Sequence, residues 1–335
     1  MSATTPPPRA QLPTNRAVSQ VLGEAGIGVA LVVLIVFFML FAPNFVTSQN
    51  LRAIMTQITL NTILAVGMTF IILVGGIDLS VGSVIALCAV VSGTVITSGL
   101  PVPTAIVLGV VVSILIGGLV GFCNGFVTEF WKVPAFIITL GMLHVARGAA
   151  QEFTDGETIY NLPAGFTRFG ITTFLGLPAV FVVALVLVVA AWFVLSRTVF
   201  GRMVYAIGNN EEAVRLSGHR TSVVKVTCYV IGGAAVGVAG VIYQARLGVA
   251  SPILGQGYEL NAIAAVVIGG ASLTGGRGSA VGTLLGASLI GVLTNGLLLM
   301  GVSDFQRTMI TGGVIILAVV LDAYRRNLSL RLSAT

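Results

Sequence analysis

Charge is what this chain has least of. Asp, Glu, Lys and Arg make up 8% of its 335 residues, against roughly 25% in an ordinary soluble domain. So few charges cannot cover the surface of a soluble fold this large. Lysine is almost missing: of 17 basic residues only Lys132 and Lys225 are lysines. Neither follows a glycine, which excludes the G-x-x-x-x-G-K-[ST] phosphate loop and ATP hydrolysis through it. The three cysteines, Cys88, Cys123 and Cys228, sit in apolar stretches without metal-ligand spacing. They read as small buried hydrophobes, and no metal is expected. The two histidines, His144 and His219, are far apart, and no Ser-His-Asp or paired-His zinc pattern is visible. A soluble enzyme, a disordered chain, a disulfide scaffold and a membrane enzyme are thereby excluded, and no catalytic residue is expected.

Apolar residues make up 56% of the chain and glycine supplies 42 positions. A bilayer span needs ~20 largely apolar residues, and membrane helices use small residues to pack closely. Apolar runs fall at about 25–42, 55–74, 79–99, 103–128, 134–150, 177–196, 223–245, 259–271, 279–300 and 305–323. The expected fold class is therefore all-α: a polytopic transmembrane helical bundle of about ten spans, with the short eighth run a broken or re-entrant helix. The run from Ala25 to Ala42 has no A-x-A site after it and reads as a retained span. Residues 1–20, with Pro6, Pro7, Pro8 and Pro13, are expected to form a disordered cytoplasmic arm. Residues 21–324 then form the membrane domain, and 325–335 a cytoplasmic tail.

The net charge of +6 lies in short loops between apolar runs. The positive-inside rule accounts for it better than nucleic acid does. With both termini inside, twelve basic residues fall inside and five outside: Arg52, Arg147, Arg168, Arg246 and Arg307. Five acids also fall outside or at its edge, Glu152, Asp155, Glu157, Glu259 and Asp304. Flipping the chain would reverse the basic count, so the expectation is N-in and C-in. Two connections are long, about 151–176 outside and about 197–222 inside; long polar connections often contact partners.

The inside connection carries the strongest local signal. Asn209 or Asn210 can cap a short helix with Glu211 and Glu212 near its positive end, and Gly218 can end it in a left-handed conformation. The expected helix is eight residues long, too short to stand alone in water, so a partner groove or the chain's own bundle must hold it. Gly117, Gly121 and Gly125 share one helix face, as do Gly233 with Gly237 and Gly282 with Gly286; this spacing allows close backbone approach. A weak internal repeat relates Val74–Ser83 to Ile268–Ser279, with Leu60-Asn61 and Leu260-Asn261 upstream. Transporters are often built from such repeats. Asp78 ends a span, where it either caps the next helix near the inner surface or acts in gating or coupling. Asn61, Asn124 and Asn295 lie within apolar runs, facing a polar pathway or bonding between helices.

The stretch Glu212-Ala213-Val214-Arg215-Leu216-Ser217-Gly218 resembles the E-A-A-x-x-x-G loop of ABC importer permeases, although the I-x-L-P continuation of some branches is absent. Further blocks resemble the ribose-type monosaccharide permeases: Gly75–Gly82, Val133–Met142, Gly257–Gly270 and Gly301–Ser303. The resemblance covers about residues 45–324. It implies a bacterial inner-membrane, multi-pass permease that forms a homodimer, docks a cytoplasmic ATPase on a coupling helix, and receives a sugar from a periplasmic or lipid-anchored binding protein. Asn210, Glu211, Glu212, Ala213, Arg215, Leu216, Ser217 and Gly218 would form the coupling loop, and the partner ATPase, not this chain, would bind ATP and Mg. Outer arginines Arg52, Arg168, Arg246 and Arg307 are candidates for docking the binding protein, since charge pairs steer association. Two rivals stay open: a branched-chain amino acid permease of the related branch, and an ion-coupled secondary transporter that needs no ATPase.

Overall fold

The computed structural model describes residues 16–317 and residue 320, with side chains from residue 25 onward. The expected tail at 325–335, and all but the last five residues of the expected arm, lie outside the described residues. The arm is shorter than expected where it is seen, because helix α1 (Arg16–Phe41) already begins inside it. The chain continues through α2 (Ser48–Leu73), α3 (Val81–Ile96), α4 (Val102–Trp131) and α5 (Ala135–Phe153). Next come α6 (Ala164–Ile171), a hairpin of β1 (Thr173–Phe174) and β2 (Leu177–Pro178), then α7 (Ala179–Arg197), α8 (Val199–Leu216) and α9 (Thr221–Leu247). It ends in α10 (Tyr258–Ile268), α11 (Ala280–Leu299) and a helix over 304–317, here α12.

The ten apolar runs reappear as α1 to α5, α7, and α9 to α12. Five of the described helices, α2, α4, α7, α9 and α11, are long and apolar enough to cross a bilayer. The result is an all-α membrane bundle. The two long connections are not open loops. The one at 151–176 folds into α6 and the small antiparallel hairpin, which pairs Thr173 with Pro178. The one at 197–222 is mostly α8, whose first half escaped sequence reading because Gly201, Arg202 and Gly208 interrupt a short apolar stretch.

Local chemistry sets the helix starts. Pro101, Pro134, Pro163 and Pro178 immediately precede α4, α5, α6 and α7, where a fixed φ and a missing N–H cost nothing. Thr47 and Ser279 begin α2 and α11 by accepting the N–H of Asn50 and Gly282.

Helix α2 is buried continuously from Ile58 to Leu73 and forms the centre of the bundle, packed by α7, α9, α10 and α11. An all-round apolar helix belongs there. By contrast α4 and α7 expose Val107, Leu115, Leu119, Val186 and Val189, the surface that lipid tails solvate. Glycine faces bring helices into backbone contact. A Cβ on Gly117 would collide with the carbonyl of Gly233, and one on Gly121 with that of Tyr229, so α4 and α9 touch along their small-residue stripes. Gly282 and Gly286 do the same for α11, against Gly269 and Ala265 of α10.

The internal repeat is a repeated device. After α2, Gly75 N–H bonds Ile72 O and Gly76 N–H bonds Ile71 O; after α10, Gly270 bonds Val267 O and Ala271 bonds Val266 O. Gly75 and Gly270 both have positive φ, 79° and 85°. Each helix thus ends in the same left-handed motif, followed by an irregular stretch and a serine, Ser80 or Ser279, that precedes the next helix.

Candidate functional site

Helix α8 bends at Asn210, whose φ of −160° and ψ of 90° are not helical. The bend divides it into 199–209 and a terminal helix of six residues, 211–216, two fewer than expected. The Asn210 side chain accepts the N–H of Ala213 at 3.0 Å, so Asn210, and not Asn209, is the cap. Asn209 instead donates to Tyr205 O and Gly276 O. At the other end Gly218 has φ 84°; its N–H bonds Arg215 O, and that of His219 bonds Val214 O. Both terminal signals read from the sequence are therefore in place.

The arm 199–209 seats this short helix against the bundle. Gly208 packs so closely that a Cβ there would collide with the carbonyl of Leu73 and the amide of Gly276. Tyr205 reaches Gly278 O at 2.8 Å. Val214 joins an apolar cluster with Val204 and Ile207. Glu212, Ala213, Arg215, Leu216, Ser217 and Gly218 face outward, and Leu216 is 79% exposed. Glu212 accepts from Arg215 at 2.8 Å, which holds its carboxyl below the usual carboxylate value and keeps it ionised at neutral pH.

An ionic chain ties the short helix to two long ones. Lys225, in the first turns of α9, lies 3.0 Å from Glu211 and 2.5 Å from Glu129 at the end of α4. Thr221 donates to Glu211 at 3.3 Å, and Lys132 sits 3.7 Å from the other Glu129 oxygen. The Glu129 side chain is 2% exposed, so its charge depends on these partners. A cavity of about 300 Å³ lies beside it, reaching Gly75, Thr128 and Tyr229. Sequence reading passed over Glu129. Its one local signal is Lys132 three residues on; its pairing with Lys225 joins helices distant in sequence.

The four polar residues considered for a pathway are all buried. Asp78 accepts the Ser80 amide at 2.8 Å and the Ser80 hydroxyl at 2.6 Å, ordering the turn into α3. Asn124 donates to Asp78 at 3.3 Å and to Ser80 at 3.0 Å. Asn295 and Asn50 exchange two amide hydrogen bonds, 2.9 and 3.1 Å, between α11 and α2. Asn61 keeps a buried oxygen without a partner among the described residues. Asn295→Ala should lower stability by about 1–2 kcal/mol, checked by thermal unfolding in detergent; an unchanged Tm would show that the amide pair contributes nothing.

Of the arginines expected outside, Arg168 on α6 and Arg246 at the end of α9 are brought close, since Gly170 packs on the backbone at Ala245 and Arg246. Arg52 is exposed at the start of α2. Arg307 is ion-paired with Asp304 and its side chain is 13% exposed. Among the described residues no group of acids, cysteines or histidines fits a metal.

A helical membrane bundle with interrupted helices and a capped, outward-facing short helix defines the class: a transport permease, integral to the bacterial plasma membrane. Residues 50–319 match the family described as branched-chain amino acid transport system, permease component. The chain belongs to that family. It is 42% identical to the ribose import permease of Escherichia coli (strain K12) over 301 residues, covering 88% of this chain and 92% of that one. The ribose import permease of Bacillus subtilis (strain 168) is 42% identical over 304 residues, covering 90% and 93%. The L-arabinose ABC transporter permease of Azospirillum brasilense is 36% identical over 327 residues, covering 97% and 95%. No solved structure matches the chain.

Proposed function

We propose that this chain is the membrane subunit of an ATP-driven importer for a monosaccharide, a pentose, hexose or polyol. It would work as a homodimer with about ten spans per copy and both termini in the cytoplasm. The observation that carries this reading is the short helix 211–216, capped at both ends, presenting Glu212, Arg215 and Leu216 outward while Glu211 is tied to Lys225. A helix of six residues is not stable in isolation; one fixed this firmly and exposed this fully suits a surface that another protein grips. The gripping protein is a cytoplasmic ATPase, which would bind the ATP and Mg. A binding protein delivers the sugar on the opposite side, with Arg52, Arg168 and Arg246 exposed or half-exposed to steer it; Arg307 is already paired. ATP drives the cycle only by favouring one transporter conformation over the other. Asp78, Asn124 and Asn295 serve the bundle's own order, and Asn61 has a polar group to spare.

The family description points to branched-chain amino acids as an alternative cargo, whereas the relatives reported above are named for ribose and L-arabinose. Proteoliposomes holding the chain with its ATPase and binding protein should take up D-ribose only with ATP. Glu212→Lys should cut that uptake at least about tenfold, a loss of ~1.4 kcal/mol of coupling, with insertion intact. Uptake driven by an ion gradient without the ATPase, or by Glu212→Lys at the wild-type rate, would refute the assignment.

A further inference from the structure

Glu259, expected outside or at its edge, is half-exposed in the first turn of α10. Helix α10 places it nine residues, about 14 Å, from Ile268, and the loop beyond Ile268 touches Leu73 and Gly208 at the α8 end. Measured along the helix, Glu259 therefore lies roughly half the length of a ~30 Å span from that end. Arg147 is twelve residues, about 18 Å, above Ala135, the first residue of α5 at that same end. The two meet because the chain from Gly248 to Gly257 is not a helix there. It descends beside α3, where Ala250 lies against Gly93 and Gly255 against Gly82. Its carbonyls, left without helical partners, need donors, and Arg147 supplies them to Pro252 at 2.7 Å and Leu254 at 2.9 Å, reaching also Gly82 of α3 at 3.4 Å.

Charges at this depth are costly and are found where they face a cavity or partner, not lipid. A purely structural pair would be buried, as Glu129 is. Arg147 and Glu259 are half-exposed, with His144 and Gln256 exposed nearby. A guanidinium has five N–H donors, and the three carbonyls leave two of Arg147's free. Glu259 accepts one N–H, from Gly257 at 3.3 Å, and its second oxygen accepts none among the described residues. No ion pair joins the two side chains.

We infer that Arg147 and Glu259 form a sugar-contact site half-way across the membrane, on the face of α5 and α10 that borders the transport path. Unused donors and an unused acceptor side by side match hydroxyl groups, which both give and take hydrogen bonds. The opposite charges give the site no net preference for an ion. This rests on the importer reading above. The binding protein still selects the sugar, and this site gives its hydroxyls a replacement for water at the deepest point of the path.

The test uses the complete importer in proteoliposomes, in a Cys123→Ala background because Cys88 and Cys228 are buried. Gln256→Cys should react with a membrane-impermeant maleimide during ATP turnover, and D-ribose-loaded binding protein should slow the reaction at least about tenfold. Leu119→Cys, on the exposed apolar side of α4, should not react. Glu259→Gln should lose at least about tenfold in D-ribose uptake while its ATPase activity still responds to the loaded binding protein. No reaction at Gln256→Cys, protection by L-leucine in place of D-ribose, or wild-type uptake by Glu259→Gln would overturn the site. If the wild-type complex shows no ATP-dependent uptake, the importer reading falls and this site falls with it; wild-type uptake with an unprotected Gln256→Cys removes this site alone.

Discussion

Lys225→Met is expected to stop ATP-driven uptake and to lower stability by roughly 3–5 kcal/mol, the usual cost of leaving one member of a buried ion pair without its partner. The charge left behind is Glu129, 2% exposed, with only Lys132 at 3.7 Å to answer it. Both effects come from the same ammonium, but they separate. In the double variant Glu129→Gln Lys225→Met no buried charge is stranded, so most of the stability should return. Glu211 would still have lost its 3.0 Å tether, so uptake should stay at least about tenfold low, ~1.4 kcal/mol of lost coupling. Thermal unfolding in detergent and D-ribose uptake in proteoliposomes read the two separately. Recovery of both in the double variant would mean that Lys225 only balances Glu129 and transmits nothing from the short helix.

Gly117→Ala and Gly118→Ala should differ sharply although the positions are adjacent. Alanine favours a helix over glycine by about 1 kcal/mol, so an unhindered site should gain. At Gly118 the nearest atom to a new Cβ is Val230 Cγ1 at 3.9 Å, an ordinary contact. That variant should be neutral or slightly stabilised. At Gly117 the new Cβ would meet the carbonyl of Gly233, with Gly237 N at 3.0 Å. Neither is a side chain that can swing aside, so α4 and α9 must separate. Overpacking of this kind costs about 1–3 kcal/mol, and more where backbone must move. The readout is the fraction of each variant that stays monodisperse after detergent extraction and heating. Equal behaviour of the two variants would refute the close helix contact.

The glycine spacing in the sequence already identified which helix faces are small, and α4 against α9 and α11 against α10 use those faces. It did not say which face meets which, because a stripe of glycines fits any equally flat neighbour. The short helix after Asn210 was also legible, since caps are local: an asparagine three residues before Ala213 and a glycine after Ser217 carry the whole signal. Its length was overestimated, and the arm 199–209 was missed, because that arm is short, is interrupted by Gly201 and Gly208, and is held by contacts with Leu73, Gly276 and Gly278. Asp78 showed as a carboxylate at the end of a span, but Asn124 as its second partner needed α4 in place.

Composition and hydropathy alone determined that this is a membrane bundle, and the order of its apolar runs, because transfer into lipid depends on each segment's own residues. The partners of the charges were decided only by the tertiary structure. Glu129 meets Lys225, and Arg147 comes near Glu259, across chain separations of about a hundred residues, where no local rule operates. The approach of Arg147 to Glu259 follows from a non-helical segment whose carbonyls are satisfied by that arginine on another helix. In a low-dielectric interior such distant pairings decide which charges can exist at all.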